Sequence, residues 1–375
     1  MTSSTSDELV ETFLRYQHLF VLTAPVLFVL GVYFAAPTPA DAGTGYWLEY
    51  WWLLPVFMLG ATIVNTVGIS GSALFVPFLI FLFPLVAQPL SPSEIVLVGL
   101  VSESFGLSSS ALAFVRYGLV DRKLALTLVG GGLPFVVGGA LASFVIPEWL
   151  FYGLLAVALL AASYLLFAAD LGHGDHDDAG ETSDADAAGD TDAAGEAGGA
   201  TVADGGALPN DAAKPGPAGV ETDADGVVTR VDHDGNEYTY DRAGYLERFG
   251  NYSVGGAFQG LAGFGIGELG IISMLRTNVP VRIAIGTNHI VVAVTAVIAS
   301  LVHVFGGAFV DFGHALSLQN IPWNMVVFTV PATVIGGQIA PYVSTAVDTS
   351  TIKSGVGVLF AIISVALLGM ALGIA

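Results

Sequence analysis

Cysteine is absent from the 375 residues, so disulfides, thiolate metal sites and a cysteine nucleophile are excluded, and the redox compartment leaves no mark. Charge is scarce as well. Only 11% of the chain is Asp, Glu, Lys or Arg, where a soluble globular domain carries roughly 25%. With 54% hydrophobic residues and a mean hydropathy of +0.73, this composition rules out a lone soluble enzyme. The basic residues are too few and too dispersed to form a stripe, so nucleic acid is not an expected partner.

What charge there is has an uneven distribution. The formal net charge is -21, and 20 acidic residues against four basic ones fall between positions 170 and 248, leaving the apolar remainder close to neutral. Blocks of like charge repel and stay solvated, so 170–249 reads as an acidic linker. Its Asp-rich, Lys-poor balance suits a protein that works in concentrated salt, and an ordinary acidic linker has the same composition. Positions 172–219 are rich in Asp, Ala and Gly without apolar period, which predicts disorder. His173 and His176 lie there among aspartates, and a solvated tract is the reading over a metal site. At 227–240 the pattern changes: Val227, Thr229 and Val231 alternate with polar residues before Asp234-Gly235, which predicts a small hairpin.

The rest of the chain is a series of apolar runs of membrane-spanning length. They occupy 19–36, 51–85, 95–115, 124–146, 149–168, 254–275, 283–305, 323–343 and 352–372. The run 51–85 is too long for one span and contains Asn65, Gly68, Gly71, Pro55 and Pro77, so it is expected to break and fold back inside the membrane; 254–275 is read the same way. Arg116, Arg122 and Lys123 then fill one short cytoplasmic loop, and the linker and the loop with Arg276 and Arg282 fall on the same side. The expected fold is all-α and polytopic: an N-terminal span (1–50), a first repeat (51–169), the cytoplasmic linker (170–249) and a second, inverted repeat (250–375). Each repeat holds one broken segment and three full spans. The first run is read as a retained span rather than a cleaved signal, since Asp7, Glu8 and Glu11 spoil a basic start.

A glycine motif occurs in both repeats. Gly68-Ile69-Ser70-Gly71-Ser72 is answered by Gly263-Phe264-Gly265-Ile266-Gly267, and later features recur in order: Gly99 with Gly286-Thr287, Asp121 with Asp311, Pro134 and Gly138-Gly139 with Pro331 and Gly336-Gly337. Small residues allow a sharp turn, and the N–H groups that open the following half-helix attract anions. Paired breaks in repeated halves point to the midplane site of a carrier. The competing reading is that small residues only let helices pack closely. The candidate binding residues are Asn65, Gly68, Ser70, Gly71, Ser72, Gly263, Gly265, Gly267, Gly286, Thr287 and Asn288. Glu268 and Glu103, carboxylates within apolar spans, are the candidates for proton coupling. No cofactor or metal is called for.

The two glycine motifs, the Ala284-Ile285-Gly286-Thr287-Asn288 segment, the Val120-Asp121 and Val310-Asp311 turns and the two Pro…Gly-Gly spans resemble the TauE/SafE sulfite exporter family over about 59–167 and 254–372. The resemblance implies a membrane carrier of a small sulfur-containing anion, with the bilayer and the solute as partners; protons are a further candidate partner through Glu268 and Glu103. The chain departs from the family pattern at Ser70 and Ser72, which interrupt a glycine run, and at Glu268. A cysteine relay of the kind some thiosulfate-carrying relatives use is excluded. Two other classes fit parts of the pattern. An anion channel or solute-sensing receptor would use the same helix ends. Gly68-Ile69-Ser70-Gly71 has the G-x-S-G form of an intramembrane serine protease, with His289 or His303 as base, but the partner position Gly265 has no hydroxyl.

Overall fold

The protein, seen in a computed structural model, is described over residues 23–39, 42–116, 118–171, 219–222, 226–232, 237–309, 313–346 and 349–373, with Tyr16 and Leu19. It is an all-α polytopic membrane protein. Six of its described helices are long and apolar enough to cross a membrane. The first apolar run appears as the shorter helix α1 (Thr23–Ala35).

The break in 51–85 lies at Gly68. α2 (Leu53–Val67) carries Pro55 in its first turn, where the missing N–H has no intrahelical role. It ends because Gly68 adopts φ +83 and its N–H closes on the Val64 carbonyl, a left-handed cap that a side chain disfavours. The chain restarts as α3 (Ser72–Pro77) and runs on through a π-helical turn, Phe78–Leu82, and a 3-10 turn, Phe83–Leu85. Three helices complete the half: α4 (Pro92–Arg116), α5 (Arg122–Ser143) and α6 (Glu148–Leu171). The second half repeats the plan. α7 (Tyr245–Ala262) stops at Gly263, φ +88, whose N–H closes on Gln259, and α8 (Ile266–Arg276) follows. α9 (Val281–Phe309), α10 (Trp323–Ala346) and α11 (Thr349–Ala371) end the chain.

Helix packing exchanges partners between the halves. α2 lies against α10 as α7 lies against α5; α4 meets α10 as α9 meets α5; α4 pairs with α9, and α6 with α11. Interchanging the two sets of five helices reproduces this pattern, as a two-fold relation between them requires. Small residues bring the helices together. A Cβ on Gly139 would lie 2.0 Å from the Ala257 carbonyl oxygen, and one on Gly336 2.6 Å from that of Met58. The close-packing role of the Pro…Gly-Gly spans is therefore real. α4 is enclosed, buried along most of its length, whereas α11 is mostly uncovered and turns Ile362 and Val365 outward. Such exposed apolar faces suit hydrocarbon, not water.

The linker ends in a small sheet. β2 (Val228–Val231) and β3 (Glu237–Tyr240) pair antiparallel, and β1 (Gly219–Thr222) adds a third strand, with Val220 opposite Arg230. Gly219 thus opens a strand where disorder was expected; the remainder of that expectation, 172–218, and the His173/His176 reading lie outside the described residues. Val220, Val228 and Tyr240 are buried, so the sheet rests on the helical body, as two or three short strands need in order to persist.

Candidate functional site: the crossing of two helix breaks

The breaks meet at the centre of the bundle. A Cβ on Gly263 would lie 3.3 Å from that of Ser72, and one on Gly267 3.1 Å from the Ser70 nitrogen. Where the half-helices open, however, their N–H groups are not free. The Glu268 carboxylate accepts from the N–H of Gly265 at 2.8 Å and, across the crossing, from the N–H of Ser70 at 3.1 Å. The Glu103 carboxylate accepts from Ser70 Oγ at 2.5 Å, from the N–H of Ser72 at 3.3 Å and from Ser72 Oγ. Ser70 Oγ also lies 3.5 Å from the Gly263 carbonyl. Ser70, Ser72, Glu103 and Glu268 are all buried. The anion-attracting groups inferred from sequence are present, and the chain's own carboxylates occupy them.

A third polar group ties the breaks together. Asn288 Nδ2 donates to the carbonyls of Gly267 at 2.8 Å and Gly68 at 3.4 Å, while its Oδ1 accepts from Tyr252 Oη at 2.7 Å. Tyr252 escaped the sequence reading, since a tyrosine in an apolar run carries no signal of its own. Gln259 escaped it too. One turn before Gly263, it is fully buried, and neither amide atom has a partner.

Of the predicted residues, Gly68, Ser70, Ser72, Gly263, Gly265, Gly267, Asn288, Glu103 and Glu268 converge here. Gly71 adjoins them but packs on the Phe75 ring. Asn65 does not join them: its Nδ2 donates to the Ala61 carbonyl of its own helix, and its Oδ1 is buried without a partner. Gly286 and Thr287 face another way, because successive helical residues point about 100° apart. Gly286 lies under the Leu119 carbonyl, and Thr287 Oγ1 accepts the N–H of Asp121 at 2.9 Å. The pairing of Gly99 with Gly286 also shifts by two residues. Gly99 packs on Ser72 as Asn288 packs on Gly267, so Asn288 is its counterpart. One turn further along, Val292 approaches Gly267 where Glu103 approaches Ser72. The scaffold is repeated, but its charge is not.

A family model, sulfite exporter TauE/SafE, matches residues 53–367, which takes in both breaks and every helix from α2 to α10. The chain belongs to the TauE/SafE family. It is thereby a membrane transport protein of an anion-exporting family. No curated protein and no solved structure matches this TauE/SafE chain. Its two candidate protease bases are not set against Ser70: His289 Nδ1 is 3.1 Å from Ser110 Oγ, and His303 Nε2 is 2.9 Å from the Gly260 carbonyl. Ser70 Oγ is bonded to the Glu103 carboxylate instead of to either histidine.

Proposed function

We propose that the protein carries a small sulfur oxyanion or organosulfonate, sulfite foremost, and binds it where the two breaks cross. The observation that supports this is the seat of Glu103: a carboxylate, itself a small oxyanion, held by two serine hydroxyls and the N–H that opens α3. A solute oxyanion uses the same donors. It enters by displacing Glu103, and the displaced carboxylate takes a proton from water, because an unpaired charge at that depth is costly. Glu268, which spans both breaks through Gly265 and Ser70, is the second proton-coupling group. Rocking of the halves about the crossing exposes the site to each side in turn. The end that carries Arg116, Arg122, Lys123, Arg276 and Arg282 is the cytoplasmic one, and the linker lies on that side.

The test is flux of radiolabelled sulfite into high-salt proteoliposomes, with sulfate and sulfoacetate as competitors, with and without an imposed pH gradient. Saturable, gradient-sensitive flux is expected, and Glu103→Gln is expected to keep flux while losing most of its pH dependence. Absence of flux with all three anions refutes the substrate class; non-saturable conductance points to a channel instead.

A further inference from the structure

The contacts of the three-stranded sheet and of the residues that follow it reach both halves. On the first half they grip the loop between α4 and α5. Tyr240 Oη donates to Asp121 at 2.8 Å, Arg242 donates through Nε at 2.8 Å and Nη2 at 3.2 Å, and Arg230 Nη1 donates to the Gly118 carbonyl at 3.1 Å. Asp121 also caps α5 through the N–H of Leu124, and its own N–H reaches Thr287 on α9. On the second half, Arg282 at the start of α9 donates to Tyr238 Oη at 3.2 Å and lies 3.6 Å from Asp232. Arg248, fully buried, joins the Arg242 carbonyl to Thr277 Oγ1 in the turn between α8 and α9.

The contacts to the first half bridge segments more than a hundred residues apart, and all of these contacts sit at one end of the bundle. At the opposite end Asn324 Nδ2 donates to Glu49 at 3.1 Å. There Ser93 Oγ donates to the His314 carbonyl and the His314 N–H to the Phe144 carbonyl, beside a broad cavity of about 660 Å³ whose walls include Tyr46, Glu94, Gln319 and Asn324. Burial alone would raise the Asp121 carboxyl, but Arg242, the Leu124 N–H and Tyr240 more than reverse that and hold it below the usual carboxylate range. The pair is therefore charged at any working pH, and burial protects it from salt screening.

We propose that the linker's sheet is a strap across the basic end of the bundle: it holds the inner loops of the two halves together, and it releases Asp121 whenever the central site opens toward that end. The proposal rests on the carrier reading for the need to open, but not for the contacts. The strap sets the balance between the closed and inward-open forms, so the linker, rather than the helices alone, decides how readily this chain opens inward.

A cysteine-free chain allows single thiols to report directly. Ser110→Cys places one on α4 between the crossing and the strapped loop, and Ser300→Cys places one on α9 toward the other end; both serines are buried. The measured quantity is the ratio of their labelling rates by a charged maleimide in purified full-length protein. Arg242→Ala is expected to raise that ratio about tenfold or more, since removing one partner of a buried pair shifts a two-state balance by more than a decade. Tyr240→Phe, which deletes one hydroxyl, is expected to raise it less. An unchanged ratio in both variants overturns the strap; so does a parallel rise at both thiols, which reports a loosened fold. A second arm joins Lys123→Cys to Asp241→Cys, exposed positions flanking the Asp121–Arg242 pair, with a reducible cross-linker. Flux is expected to stop and to return on reduction, and undiminished flux overturns the strap. If no tested anion moves in any form, the carrier reading fails while the labelling ratio still decides the strap.

Discussion

Asn288 is the group on which the crossing depends most, and its removal has a calculable cost. Asn288→Ala deletes the Nδ2 bonds to Gly267 and Gly68 and leaves Tyr252 Oη, fully buried, without its acceptor. A buried polar group left unpaired costs about 1–3 kcal/mol, so the variant should lose about 2–4 kcal/mol. Tyr252→Phe removes one bond and leaves Asn288 Oδ1 bare, a loss of about 1–2 kcal/mol. The two costs overlap in a single hydrogen bond. The double variant should therefore be more stable than the sum of the singles by about 1 kcal/mol, beyond the few tenths expected of independent sites. Denaturant unfolding of the detergent-solubilised protein in high salt measures this, with flux read on the same preparations. Strict additivity would refute the bond. Wild-type stability and flux in Asn288→Ala would refute the claim that Asn288 holds the breaks together.

Other outcomes follow from the same geometry. Gly263→Ala forces a side chain to φ +88 and toward Ser72, which should cost about 1–2 kcal/mol and lower flux; wild-type thermal stability would contradict this. In Glu268→Gln, one of the two N–H donors now paired to the carboxylate meets an NH₂ instead, so stability should fall by about 1–3 kcal/mol and the pH dependence of flux should weaken. An unchanged pH profile removes Glu268 from the coupling. The strap should be indifferent to mild acid. Because the folded Asp121 carboxyl titrates below its unfolded value of about 3.9, its stabilisation is complete above that pH and is lost only as pH falls through the lower folded value. The ratio of Ser110→Cys to Ser300→Cys labelling should accordingly stay flat from pH 7 to pH 5, because both rates fall together with the thiolate fraction; a rise of that ratio within the window counts against the ion pair.

The sequence by itself determined the features that are local or counted. Bilayer thickness sets the length of an apolar run, so the spans and the over-long segment 51–85 could be read directly. A break needs a residue that tolerates positive φ, so Gly68 and Gly263 marked both turns, and the recurrence of the motif revealed the two halves. Composition alone set the acidic linker apart, and alternation located β2 and β3, whose partner β1 has too short a pattern to notice. Tertiary structure decided the rest. Lipid is as apolar as the helix core, so hydropathy does not distinguish the face of α4 that turns Glu103 toward Ser70 and Ser72 from a face in hydrocarbon. Nothing local states that α2 packs on α10, that Thr287 faces Asp121 while its neighbour Asn288 faces the crossing, or that Arg242 closes on a carboxylate 121 residues earlier. Those pairings are selected by burial: a polar or charged group taken out of water must find its partner wherever the packed helices bring one within reach.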